Sequence, residues 1–150
     1  MKILLIRGKF MKKIVMLNFC NGLYGGIESF LLNAFYCLNP SEYEVVFLTC
    51  GKTTYSMYQK DIELKGGRIE EIPILANSLD NKFRIFFALK NYFANNRPDI
   101  VHINSGTLML HVLAVKAAKD THIKTIISHA HNFLPHKNLL RKVNSFLAGF

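Results

Sequence analysis

Apolar residues follow one another along this chain in two alternating rhythms. Ile14 to Cys20, Tyr43 to Cys50, Arg68 to Ile72, Asp99 to Asn104 and Ile123 to Ser128 are short, β-branched runs of strand length. Runs of this kind suit strands covered on both faces. Between them, apolar positions recur at helical spacing, as in Ile27, Phe30, Leu31, Ala34, Phe35 and Leu38. Further helices are expected over Met57–Lys65, Asp80–Asn96, from Ser105-Gly106-Thr107 to about Asp120, and from Asn138 to Phe150. Asn39-Pro40-Ser41, Gly66-Gly67 and Asn95-Asn96-Arg97-Pro98 supply the stops between elements.

Strands alternating with helices imply βαβ units, a parallel sheet and right-handed crossovers. The fold class is therefore α/β, a Rossmann-like doubly wound parallel sheet with the first strand central. Ligands of such sheets bind beyond the carboxyl ends of the strands, where the strand order switches. Three polar strand ends should converge there: Asn18 to Gly26, Asn104 to Thr107 and His129 to Asn132.

The first of these holds Gly22, Gly25 and Gly26 at the change from strand to helix. Gly25-Gly26 just before a helix can present N–H groups to an anion, and an ordinary glycine turn accounts for them equally well. The spacing is neither G-x-G-x-x-G nor a P-loop, which disfavours a nicotinamide-dependent oxidoreductase. Glu28 falls in the first helical turn, where a carboxylate caps. His129 and His131, at i and i+2, could share a strand face, but no third ligand lies near, so a metal is not expected. A histidine at the mouth of a parallel sheet is better placed as a donor to a substrate hydroxyl or carbonyl. His102 reads as a buried histidine, and His111, His122 and His136 as surface. No nucleophile elbow or spaced carboxylate pair is present.

Composition adds a bias of charge. The 150 residues carry a net charge of +9, with nine Lys/Arg against seven Asp/Glu up to Pro73 and ten against three beyond it. A basic half suits an anionic partner. The helix over Asp80–Asn96 sets Phe83 and Phe87 beside Lys82, Arg84 and Lys90, a mixture suited to an anionic membrane surface. Nucleic acid is not expected as a partner, because no recognition motif accompanies the charge. Cys20, Cys37 and Cys50 show no paired spacing and read as free thiols of a reducing compartment. Residues 1–10 are expected to be an upstream-start extension, and residues 11–150 one domain.

Four stretches then stand in a telling order. They are Gly25-Gly26-Ile27-Glu28 after the first strand, Lys65-Gly66-Gly67-Arg68-Ile69 before the third, Arg97-Pro98-Asp99-Ile100-Val101-His102 at the fourth, and Ser128-His129-Ala130-His131-Asn132 after the fifth. Together they resemble the N-terminal domain of family-4 glycosyltransferases, the retaining GT-B enzymes of capsule, exopolysaccharide and lipopolysaccharide assembly. The resemblance implies the acceptor-side half of a GT-B fold, with a nucleotide-sugar donor held by a second, C-terminal domain that this chain lacks. It implies His131 as the catalytic histidine touching the transferred sugar. Gly25, Gly26, Asn104, Ser105, His129 and Asn132 would be substrate-binding. It implies no metal and no cofactor besides the donor. The partners would be a lipid-linked or glycan acceptor and, for a cytoplasmic protein, the inner membrane face. A half of this kind is expected to be truncated and inactive alone. The alternative is a non-catalytic remnant or a membrane-docking module.

Overall fold

The computed structural model describes residues 11–18, 25–49, 55–72, 82–105 and 108–130, with the side chains of Ser105 and Ala130 excepted. The elements are β1 (Lys12–Asn18), α1 (Gly26–Cys37), β2 (Tyr43–Thr49), a 3-10 turn (Ser56–Tyr58), α2 (Gln59–Leu64), β3 (Gly67–Glu71), α3 (Lys82–Asn96), β4 (Ile100–Ser105), α4 (Leu108–Asp120) and β5 (Thr125–Ala130). Their sheet is wholly parallel, in the order β3-β2-β1-β4-β5, so the first strand is central as its apolar run predicts.

Helices cover both faces, and the strand side chains divide accordingly. Val15, Leu17, Val46, Leu48, Val101 and Ile103 point to the face packed by α3 and α4. Ile14, Met16, Val45 and Phe47 point to the opposite face, against Leu31, Leu32 and Phe35 of α1 and Ile62 of α2. Alternate residues of β1, β2 and β4 thus enter two different cores, which is why these strands read as largely apolar runs. Each fully buried Leu, Ile or Phe contributes about 1.5–3 kcal/mol relative to exposure. The helices contribute through stripes: 85, 86, 89 and 93 of α3, and 110, 113, 114, 117 and 118 of α4, are buried.

Several boundaries differ from the sequence expectation. The stretch Met57–Lys65 is a 3-10 turn leading into a short α2. Gly66, at φ +82°, forms the left-handed end of α2. Gly67 already belongs to β3, and an added Cβ there would lie 2.9 Å from both Ile62 and Phe35. The fifth strand starts two residues later than expected and runs on to Ala130, because it pairs with β4 as far as Ser105. His129 is therefore a strand residue rather than a loop residue. Cys37 is a free, exposed thiol. The expected extension (1–10), Cys20 and Cys50, and the expected helix 138–150 lie outside the described residues. Among the described residues no helix is long and apolar enough to cross a membrane.

Candidate functional site

Where the apolar strand interiors end, one row of polar side chains crosses the sheet. Thr49 of β2 pairs with Asn18 of β1, Asn18 with Asn104 of β4, and Asn104 with His129 of β5. Their positions share one pleat face, the α1 side, because Met16 and Phe47 two residues earlier pack there. Thr49, Asn18 and Asn104 are buried, and His129 is half-buried. The row lies at the carboxyl ends of the strands and spans β1 and β4, the switch point of the strand order.

Asn18 anchors a buried network at the start of α1. Its side-chain amide donates to Glu28 Oε1 at 2.7 Å and to the Tyr55 hydroxyl at 3.3 Å. Only the NH2 end of a carboxamide can donate to a carboxylate, so Glu28 fixes which way Asn18 points. Glu28, 2% exposed, uses its other oxygen to accept the Gly25 N–H at 2.9 Å. This is the reciprocal half of a capping box. The Asn18 Oδ1 is buried and has no hydrogen-bond partner among the described residues.

That network changes the role of the two glycines. The Gly25 N–H is turned inward onto Glu28 rather than toward an incoming anion. Gly26 is the open position. Its backbone is not left-handed, and a Cβ added there would meet nothing within 4 Å. Neither strain nor packing among the described residues calls for glycine at 26. The N–H groups of Gly26 and Ile27 precede the first helical bond, Ser29 N to Gly25 O at 3.0 Å. They lie at the positive end of α1.

On the β5 side, His129 is held by ring contacts. Phe30 of α1 stands edge-on to it, with centroids 4.7 Å apart, and His102 lies nearly parallel at 6.0 Å. His102 is buried, as its strand position suggests. His111 is bonded to the Ser128 hydroxyl, so it is more than the surface residue its sequence context indicates. The structure thus brings Gly25, Gly26, Asn104 and His129 to the carboxyl ends of adjacent strands, with the Ser105 backbone closing β4. His131 and Asn132 lie outside the described residues. Thr49, Tyr55 and Phe30 carry no motif; the one signal for Asn18 is a polar residue ending an apolar run.

The groups present are amides, a hydroxyl, imidazoles and a positive helix end. They suit a hydroxyl-rich ligand bearing negative charge nearby. Among the described residues no group of three His, Cys, Asp or Glu could hold a metal ion. A cleft of about 470 Å³ exists elsewhere, lined by residues such as Lys90, Arg97, Asp120 and His122. It sits where α3 and α4 finish, at the amino end of the sheet, and shares no residue with the polar row. Its volume therefore carries no weight for the site.

Two comparisons with known proteins bear on these observations. Residues 24–149, well over half of the chain, match the family model described as Glycosyltransferase Family 4. No curated protein matches the chain.

Proposed function

The chain belongs to glycosyltransferase family 4, and on that premise we propose that the carboxyl end of its sheet is the acceptor-side wall of a sugar-transfer cleft. The donor is a nucleotide-sugar held by a second domain, and the acceptor is a lipid-linked or polysaccharide chain of surface polysaccharide assembly. The observation that supports this most is the single row of Asn18, Asn104 and His129 beside the open N-terminus of α1. It offers hydrogen-bonding groups for sugar hydroxyls next to a positive helix end suited to a diphosphate.

In this reading an acceptor hydroxyl attacks the anomeric carbon from the face the diphosphate leaves. The new C–O bond forms as the old one breaks, and the hydroxyl proton passes to the departing diphosphate, giving retention. Gly26 lets the diphosphate approach the N–H groups of α1. Asn104 and Ser105 line the acceptor side, His129 and Asn132 border the sugar, and His131 contacts the transferred sugar. No metal or further cofactor takes part. The donor site is supplied by the second domain of the fold.

The test is to assay the chain joined to a family-4 donor domain with a panel of nucleotide-sugars, following release of nucleoside diphosphate. Donor-dependent release, lost on His131→Ala with the unfolding midpoint unchanged, is the expected result. Absence of hydrolysis and transfer across the panel would remove the enzyme reading, and equal losses of activity and stability would make His131 structural.

A further inference from the structure

Only half of the Asn18 carboxamide is used within the fold. Its nitrogen donates to Glu28 Oε1 at 2.7 Å and to the Tyr55 hydroxyl at 3.3 Å, which takes both of its N–H groups. Its oxygen, in a residue 2% exposed, is buried and accepts nothing among the described residues. A buried carbonyl without a donor is costly, and few native structures keep one without a reason. Turning the amide over would not mend it, because the oxygen would then face the Glu28 carboxylate. The orphaned acceptor is therefore imposed by its neighbours.

Its position gives it a use. Asn18 is the last residue of β1, the central strand, and stands between Thr49 and Asn104 in the polar row. The strand order switches beside it. Tyr55 packs on Phe47 of β2, with ring centroids 4.8 Å apart, so the amide is held from the β2 side as well as from α1. Two anchors on the nitrogen fix the oxygen before any ligand arrives, which removes an ordering cost from binding. The oxygen is also already out of water, so a ligand need not strip its hydration.

The chemistry of the group selects what it binds. A carbonyl oxygen only accepts, so it repels phosphate and carboxylate oxygens and attracts an O–H. The positive end of α1 and this oxygen therefore suit different parts of one ligand. We propose that Asn18 Oδ1 is a specificity-determining acceptor for one sugar hydroxyl, held in place by Glu28 and Tyr55. The inference rests on the proposed function and deepens it: the wall divides into a diphosphate part at Gly26 and a hydroxyl-reading part at Asn18. Two sources carry such a hydroxyl, the sugar of the donor and the acceptor glycan, and the experiment separates them.

Carbon-13 and nitrogen-15 NMR of the Asn18 side chain tests this, on the chain alone and joined to a family-4 donor domain. The probes are methyl glycosides of glucose, galactose and mannose for the acceptor, and the corresponding nucleotide-sugars for the donor. At least one probe should move the Asn18 side-chain carbonyl signal as it saturates, and its class identifies the source. The analogue lacking the hydroxyl that Asn18 reads should bind roughly ten- to a hundredfold more weakly and leave the signal in place. Fluorine at that position should do no better, since it cannot donate. Asn18→Leu should bring the ratio of affinities for probe and deoxy analogue close to one. That ratio does not depend on the fraction of protein folded. If the leucine variant does not fold at all, the deoxy and fluoro analogues on the unaltered chain decide the matter. The proposal is overturned if no probe moves the carbonyl signal in either sample, or if every deoxy or fluoro analogue binds as well as its parent. It is equally overturned if Asn18→Leu keeps the ratio. Turnover of a nucleotide-sugar without any response at Asn18 would sink this inference alone. A response at Asn18 without release of nucleoside diphosphate would sink the sugar-transfer reading alone.

Discussion

Asn18 and Glu28 meet in a buried hydrogen bond of 2.7 Å that ties the end of β1 to the first turn of α1. The same carboxylate accepts the Gly25 N–H, so one side chain sets both the strand exit and the helix entry. The start of α1 is thus held from the sheet side, while a Cβ added at Gly26 would meet nothing within 4 Å.

Removing that carboxylate should be costly to the fold. Glu28→Ala strands two donors, the buried Asn18 amide and the part-buried Gly25 N–H, and a buried donor left unsatisfied costs about 1–3 kcal/mol. A loss of about 2–4 kcal/mol in urea unfolding is expected, and Glu28→Gln should cost about 1–2 kcal/mol because its one carbonyl still accepts. A loss below about 0.5 kcal/mol for the alanine variant would mean that the network does not hold the turn.

Gly26 and Gly67 should answer oppositely to alanine. At 67 the new methyl group would sit 2.9 Å from Ile62 and Phe35, between β3 and the α1–α2 layer, and overpacking there costs about 1–3 kcal/mol. At 26 nothing crowds it, and alanine in a helix is favoured over glycine by up to about 1 kcal/mol. The expected pattern is a less stable Gly67→Ala and an unchanged or more stable Gly26→Ala that binds nucleoside diphosphate or nucleotide-sugar more weakly. Calorimetric titration of the two-domain protein measures the second effect; undiminished affinity would remove Gly26 from the site.

Away from the site, Arg68 bonds both Glu44 and Glu70, and the Tyr92 hydroxyl donates to Glu70 at 2.6 Å. Burial alone would raise the Glu70 carboxyl, but Tyr92 and Arg68 hold it below its ordinary value of 4.5. Burial, with Glu70 beside it, pushes the Tyr92 phenol well above its ordinary 10.0. A lowered carboxylate stabilises the fold above its unfolded value and loses that contribution as the pH falls through its folded value. A raised phenol stabilises below its unfolded value and loses its contribution as the pH rises past it. Stability from this cluster should therefore be complete between the two ordinary values, fading in acid below 4.5 and in alkali above 10.0. The groups are partly exposed, so each limb is worth about 1 kcal/mol or less. Glu70→Gln should flatten the acid limb of a stability profile and Tyr92→Phe the alkaline one; identical profiles in both variants would contradict the assignment.

The order of elements was legible because β1, β2 and β4 are buried on both faces and each helix on one, and both patterns are local. Strand ends were less so. His129 reads as loop because a polar residue follows the apolar run, yet the backbone pairing of β5 with β4 carries the strand past it to Ala130. Side-chain polarity does not report main-chain hydrogen bonds. Of the candidate site, the glycine turn and the polar strand ends at Asn18, Asn104 and His129 were legible, because a polar residue or a glycine interrupts an apolar run there. Tyr55 shares the Asn18 amide across 37 residues of chain, a contact set by packing that no local spacing announces. The closing of Gly25 onto Glu28 was likewise hidden, since a glycine turn reads the same whichever way its N–H points.

Arg97 and His122 end α3 and α4 in the left-handed region, at φ 44° and 57°, where glycine is at ease and other residues are strained. Their backbones close the helices: Arg97 N donates to Phe93 O at 2.8 Å, His122 N to Lys119 O at 2.9 Å, and Ile123 N to Ala118 O at 3.1 Å. All three bonds use the main chain, so glycine would keep them. Arg97 also precedes Pro98, which narrows its backbone choices further. Arg97→Gly and His122→Gly should each stabilise the protein by up to about 1 kcal/mol, after the greater freedom of glycine in the unfolded chain is subtracted. Gly66→Ala, at φ 82°, should cost about 1–2 kcal/mol by the same steric argument. For a chain of this size the stabilising changes correspond to a rise of roughly 2–4 °C in melting temperature for each kcal/mol. Destabilisation by either glycine variant would show that the Arg97 or His122 side chain contributes more than its backbone conformation costs.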